Sequence, residues 1–296
     1  MVPLALKRLR KRVRFRRTLP PSIAVRLPDG RTLAIEEYGD PAGPPVFYFH
    51  GWPASRLEAG LIPGLPVRLL ALDRPGYGRS SPCPGRRLLD WPADVGHVAD
   101  RLSLDRFHIV GLSGGGPFAA ACAYAMPERV AGLALVCPVP PADAVRRRAP
   151  GIGLLYRLGR HPRVARRLLS LLRPLLRRRL VTPRTLVGNL PPADRSALSR
   201  QTLSGLAAAW REGIGRSVLG ALEDANIYAA PWGFPTTAIT VPATVWHGAD
   251  DSLIPPAALG AYTAIPGATL HLVPGEGHYS LPLNHAQRIL HGLVHP

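Results

Sequence analysis

The stretch from Arg106 to Met126 constrains the fold of this chain more than any other. Arg106 to Val110 is a short run of β-branched and aromatic residues, which reads as a buried strand. Pro117 to Met126 is rich in alanine and has no β-branched residue, so it reads as a helix with Pro117 tolerated in its first turn. Between them lies only Gly111-Leu112-Ser113-Gly114-Gly115-Gly116. A turn this tight explains glycine at 111 and 115, because a side chain two positions before or after the serine would strike the neighbouring strand or helix. A strand that feeds directly into a helix needs parallel neighbours to pack on.

Those neighbours are legible. Pro45 to His50, Val67 to Asp73, Val130 to Val136, Ala243 to His247 and Thr269 to Val273 are short apolar runs, as expected of strands buried on both faces. Ahead of them, two apolar-rich runs between Ser22 and Glu37 flank Asp29-Gly30, the dipeptide of a tight hairpin turn. Between the strand at Val130 and the one at Ala243 the rhythm changes to Leu, Arg and Ala stretches broken by Gly159, Pro162, Pro174, Pro183 and Pro191-Pro192. This pattern gives short helices and no strands. The expected class is α/β, a mostly parallel central sheet with flanking helices and an inserted helical cap. Residues 1–20 form a basic arm, 21–138 and 236–296 the core, and 139–235 the cap.

The formal charge is +18, nearly all of it arginine, while 46% of residues are hydrophobic and no run of eighteen apolar residues is present to span a bilayer. The arm carries basic residues from Lys7 to Arg17 without the apolar run that a secretory leader needs, and reads as solvated and disordered. No zinc-finger, RNA-binding or helix-turn-helix pattern accompanies the charge, so specific nucleic-acid binding is not expected. Cys83, Cys122 and Cys137 are odd in number and lack metal-ligand spacing, which fits packed, reduced thiols in a cytoplasmic protein.

Ser113 falls in a G-x-S-x-G pattern between strand and helix, the context in which a serine stands exposed as a nucleophile. In isolation such a glycine-rich turn would equally cradle a phosphate. A serine hydroxyl needs a histidine base and a carboxylate that orients the imidazole. Among ten histidines, His278 sits in Pro274-Gly-Glu-Gly-His278, just beyond the last strand, where open α/β sheets handle ligands. His108 and His271 lie inside strands, and His50 and His247 at strand ends. For the carboxylate, Asp250 and Asp251 follow the preceding strand side by side, and Asp143 is a more remote choice.

Here the sequence resembles the α/β-hydrolase superfamily, from roughly Ser22 to His285 apart from the cap. Its acid loop reads G-x-x-D-x-x-[VI]-P, matched by Gly248, Asp251, Ile254 and Pro255, and the segment Asp73-Arg-Pro-Gly-Tyr-Gly-Arg-Ser80 is also typical of it. The resemblance implies Asp251 as the acid, in the chain order Ser, Asp, His. It further implies an oxyanion hole from the backbone N–H groups of Gly114 and Trp52. His50 and Gly51 on the same loop, with Trp232 and Phe234 where the cap returns to the core, are the expected substrate contacts. The His50-Gly51-Trp52-Pro53 segment also resembles epoxide hydrolases, and haloalkane dehalogenases share the overall plan, but both use a carboxylate nucleophile. Serine supports an acyl-enzyme instead. Proline iminopeptidase-like enzymes are nearer, yet their Gly-Gly-rich oxyanion sequence is missing.

The expectation is a carboxylesterase-like serine hydrolase acting on a small acyl substrate, with no metal or organic cofactor. A cofactor-free perhydrolase or haloperoxidase with the same triad, and a non-catalytic binding protein of the same fold, remain as alternatives. Within the cap, Leu168, Leu172, Leu175, Leu176 and Leu180 recur at helical spacing, with Arg163, Arg166, Arg167, Arg173 and Arg177 on a different side. The first reading packs those leucines on the catalytic domain. The second opens them toward lipid, with the arm and cap arginines drawing the protein to an anionic membrane surface.

Overall fold

In the computed structural model, which describes residues 22–62, 64–142, 150–175, 182 and 190–295, Asp29 and Gly30 reverse the chain, with Gly30 at φ +85°. The turn joins β1 (Ile23–Arg26) to β2 (Thr32–Gly39) as an antiparallel pair. β3 (Pro45–Phe49) and β4 (Arg68–Leu72) follow, then α1 (Trp91–Arg101), β5 (Phe107–Leu112), α2 (Gly116–Ala125) and β6 (Val130–Val136). After the cap come β7 (Ala243–Gly248) and β8 (Thr269–Val273). The eight strands form one sheet in the order β1-β2-β4-β3-β5-β6-β7-β8, parallel from β4 to β8 and antiparallel where β2 meets β1 and β4.

Alternation along these strands builds two cores. Phe47, Phe49, Ile109, Leu133 and Val245 point to the face covered by α1 and α2, where Phe118 and Trp91 are buried. Val46, Tyr48, Val110, Ala134 and Trp246 point to the opposite face, against Leu281, Ile289 and Leu290. These last residues belong to the C-terminal helix. Covering both faces is why the strands read as unbroken apolar runs.

Between β6 and β7 the described residues hold helices and no strand: α3 (Pro150–Arg160), α4 (Pro162–Leu175), α5 (Pro192–Ala197), α6 (Arg200–Gly213) and α7 (Leu219–Ala229). A four-residue helix, α8 (Gly260–Thr263), and α9 (Ser280–Val294) complete the chain. α3 crosses α7 so closely that a Cβ on Gly159 would overlap the Ala225 carbonyl. On α4 the packed residues are Ala165 and Leu169, which join Leu158, Val218, Ala221 and Leu222.

This corrects the first reading of the cap. Leu168, Leu172 and Leu175 do not pack on the catalytic domain but are 51%, 37% and 45% exposed. Periodicity located an apolar arc, but only one edge of it meets α7. Leu176, Leu180 and Arg177, like Asp143 and the basic arm, lie outside the described residues. No helix among the described residues is long and apolar enough to cross a membrane.

Candidate active site

The loops following β3, β4, β5, β7 and β8 gather at the C-terminal edge of the sheet, where doubly covered parallel sheets place their ligands. Ser113 follows β5 at φ +49°, a left-handed conformation that costs a non-glycine residue on the order of 1–3 kcal/mol and is retained where surrounding structure enforces it. The enforcement is visible. A Cβ on Gly111 would lie 2.6 Å from that of Ala119 and 2.8 Å from the Gly115 carbonyl, and one on Gly115 would overlap the Phe49 carbonyl. The Ser113 carbonyl accepts from the Val139 amide at 2.9 Å.

Ser113 Oγ lies 2.9 Å from His278 Nε2, and His278 Nδ1 lies 2.8 Å from Asp251 Oδ2. A carboxylate only accepts, so Nδ1 carries the proton and Nε2 is free to take one from the serine. Asp251 is itself fixed: its Oδ1 accepts from the amides of Leu253 at 2.9 Å and Ile254 at 2.8 Å. Asp250, the alternative, is exposed, and it is the Asp251 carboxylate that meets His278. Burial of His278 disfavours its charged form, but the Asp251 carboxylate outweighs this and raises the pKa above 6.5. Burial likewise pushes Asp251 up, yet the His278 charge and hydrogen bond bring it below the usual carboxylate range. His247 stacks a further contact on Asp251 at 3.4 Å while its Nε2 lies 2.8 Å from the Ile254 carbonyl.

The loop after β3 brings Trp52 beside Ser113. The Trp52 amide nitrogen lies 3.0 Å from where a Cβ on Gly114 would sit, so the two backbone N–H groups expected to hold an oxyanion are neighbours. The Trp52 indole turns to the cap and donates to the Ala221 carbonyl at 2.8 Å. A Cβ on Gly51 would be 3.6 Å from that of Ser113, which sets this glycine against the nucleophile. The Gly51 amide donates to Glu58 at 2.7 Å, and Tyr48 donates to the same carboxyl oxygen at 3.0 Å. Burial raises the Glu58 pKa. His50 is fully buried and held by backbone, with Nδ1 2.8 Å from the Gly51 carbonyl and Nε2 accepting from the Arg74 amide at 3.3 Å. Trp232 and Phe234 sit apart from this cluster. Phe234 stacks on Tyr124 at the far end of α2, Trp232 packs on Tyr262, and the surface recess they line with Ala142 and Ala230 includes neither Ser113 nor His278.

Two cap carboxylates that the sequence did not single out reach the site. Asp194, on α5 and fully buried, accepts from the amides of His278 at 3.2 Å, Tyr279 at 2.7 Å and Ser280 at 2.9 Å. It thereby satisfies the open N-terminal amides of α9 and grips the histidine loop. A Cβ on Gly277 would lie 2.5 Å from its Oδ1, so glycine is required there. Asp224, on α7, is bonded to Arg74 at 2.9 Å, to the Tyr77 hydroxyl at 2.8 Å and to Arg86. Arg74 in turn donates to the His50 carbonyl, and Tyr228 of α7 donates to the Gly114 carbonyl at 2.8 Å. The one signal in the sequence was that Asp194 is the first acidic residue after Asp143, in a segment otherwise crowded with arginine.

An apolar cavity of about 60 Å³ lies on the α9 side, lined by Leu61, Leu112, Leu206, Tyr279 and Leu283, with Glu58 at its wall. Leu112 and Tyr279 are the chain neighbours of Ser113 and His278, but neither Ser113, Asp251 nor His278 lines the cavity.

Comparison with known proteins agrees with this architecture. A non-heme haloperoxidase of Rhodococcus erythropolis is 28% identical over 266 residues, 86% of this chain and 92% of that protein. A non-heme chloroperoxidase of Streptomyces lividans is 37% identical over 121 residues, which cover 38% of this chain and only 43% of that enzyme. The crystal structure of a bromoperoxidase from Bacillus anthracis superposes with a TM-score of 0.69 at 22% identity, covering 92% of this chain and 98% of the other. The alpha/beta hydrolase fold model matches residues 44–284, most of the chain, and the protein belongs to that family.

Proposed function

We propose that the protein is a serine hydrolase that cleaves a carboxylic ester through an acyl-enzyme on Ser113. The observation that carries this reading is the unbroken hydrogen-bonded path from Ser113 Oγ through His278 to Asp251, at 2.9 and 2.8 Å. His278 Nε2 takes the hydroxyl proton as Oγ attacks the acyl carbon. The oxyanion forms beside the N–H groups of Trp52 and Gly114, where each donor contributes on the order of 2.7–4 kcal/mol. The imidazolium then returns its proton to the departing alkoxide, leaving the acyl ester on Ser113. Water, deprotonated by His278, attacks that ester and releases the acid, and Ser113 recovers its proton. Asp251 holds the imidazole in its working tautomer throughout and stabilises its charge.

The haloperoxidase relative, matched along 86% of this chain, favours a second reading of the same site. Hydrogen peroxide in place of water would attack the acyl-enzyme and leave as a peracid, the second oxygen of the peroxide being retained.

The deciding experiment treats the wild type and Ser113→Ala with a fluorophosphonate probe and a p-nitrophenyl ester series. The proposal expects labelling and turnover that vanish together in the variant. A folded wild type that neither labels nor turns over any ester would refute it and favour a binding protein. Peracid formation with peroxide, at rates above ester hydrolysis, would favour the second reading.

A further inference from the structure

α4 presents a surface that the chemistry at Ser113 does not use. At 100° per residue, Val164, Leu168, Leu171, Leu172, Leu175, Ala165 and Leu169 fill an apolar arc of about 160°. Only the edge formed by Ala165 and Leu169 packs against α7. The remainder faces outward, with Val164 67%, Leu168 51% and Leu171 80% exposed. These are the largest exposures of large apolar side chains among the described residues, and they lie on one stripe. Arg167 flanks the stripe and Arg163 and Arg166 lie further round toward the opposite face, all three exposed, and Arg157 and Arg160 on α3 are exposed as well. No Asp or Glu occurs between Asp143 and Asp194, so no carboxylate of this segment neutralises them.

Three occupants would cover an apolar stripe on a protein, and the charges choose among them. A second copy of this chain brings another +18 against the first and is repelled. A nucleic acid would pair with the arginines but leave the leucines in water. An anionic lipid surface satisfies both groups: the leucines enter the acyl boundary while the arginine stems lie along it and their guanidinium heads reach the phosphates. We infer that α4 is a docking helix for anionic lipid surfaces, lying in the interface plane with Val164, Leu168, Leu171 and Leu175 inserted.

The attachment of the cap supports this. α5 and α7 are pinned to the core through Asp194 and Asp224, whereas α4 touches it through the Ala165 edge on α7. Docking at α4 therefore leaves the hold of Asp194 on the histidine loop in place. The inference does not depend on the reaction proposed for Ser113.

The test is co-sedimentation of the full chain with vesicles of equimolar phosphatidylglycerol and phosphatidylcholine, and with phosphatidylcholine alone. It compares the wild type with two triple variants, Leu168→Ser/Leu171→Ser/Leu175→Ser and Arg163→Ser/Arg166→Ser/Arg167→Ser. The wild type is expected to pellet with anionic vesicles at low salt and to be released as salt rises. Each variant should bind at least about tenfold more weakly. Circular dichroism and thermal unfolding serve as fold controls. A wild type that stays in the supernatant overturns the inference, as does equal binding to phosphatidylcholine alone. Full binding by the leucine variant would assign adsorption to the N-terminal arm and overturn it too. Tight retention on homopolymeric RNA, unaffected in the leucine variant and without vesicle binding, would assign the arginines to nucleic acid.

Discussion

Asp194 offers the sharpest perturbation, because it holds the loop of His278, the proposed general base, through backbone amides alone. Its two carboxylate oxygens accept three amides, of His278, Tyr279 and Ser280, at 3.2, 2.7 and 2.9 Å. Hydrogen bonds to a charged acceptor contribute roughly 1.5–3 kcal/mol each, and a buried amide left unpaired costs about 1–3 kcal/mol. Asp194→Asn keeps one acceptor oxygen, which serves Tyr279 and Ser280 in one flip, and turns an NH₂ donor toward the His278 amide. The loss then falls on the residue whose imidazole must stay within reach of Ser113. About 2–3 kcal/mol of lost positioning lowers kcat by roughly 30–150-fold. KM should change little, since Asp194 meets backbone and not ligand.

A second readout separates positioning from general loosening. The Asp194 charge is one of the influences that raise the His278 pKa, after Asp251. Removing it should move the acid limb of the kcat/KM profile to lower pH, so that the variant is slower at its plateau yet retains more of that plateau in mild acid. The assay is a p-nitrophenyl ester pH series on both proteins, with near-UV circular dichroism confirming the folded cap. A folded variant with kcat within threefold of wild type and an unmoved limb would refute the role argued for Asp194.

Three further outcomes follow from the site. Because the His278 base must be neutral and its pKa is raised, kcat/KM should fall as pH drops through a midpoint above 6.5; a rate flat from about pH 5 to 8 would exclude His278 as base. Asp251→Asn should cut kcat on the order of 10⁴-fold, while Asp250→Asn, altering an exposed side chain, should stay near wild type; the reverse order would move the acid to Asp250. Asp224→Ala leaves the fully buried Arg74 uncompensated and should cost about 3–5 kcal/mol in urea unfolding, and a loss under about 1 kcal/mol would show that Arg74 finds another partner.

What could be read in advance divides along a physical line. Ser113, Asp251 and His278 each follow a strand whose apolar run is continuous because both sheet faces are covered, so strand, turn and residue type are all local in sequence. Asp251 is marked in the same way, its Oδ1 bonded to amides two and three residues ahead. Asp194 and Asp224 act across separations of 84 and 150 residues, and no local pattern announces a partner that far away. Helical periodicity has the matching blind spot. It found the leucine arc of α4, but period alone says which residues share a face and nothing about what covers that face. The packed edge is set by Gly159 and Ala225, which let α3 approach α7 and thereby fix where α4 can reach the core. Covering the arc would require a second helix on its open side, and every arginine along its flank makes another basic segment of this chain a poor occupant. The run without a carboxylate from Asp143 to Asp194, which makes Asp194 stand out in the sequence, is therefore also what argues for a partner of opposite sign.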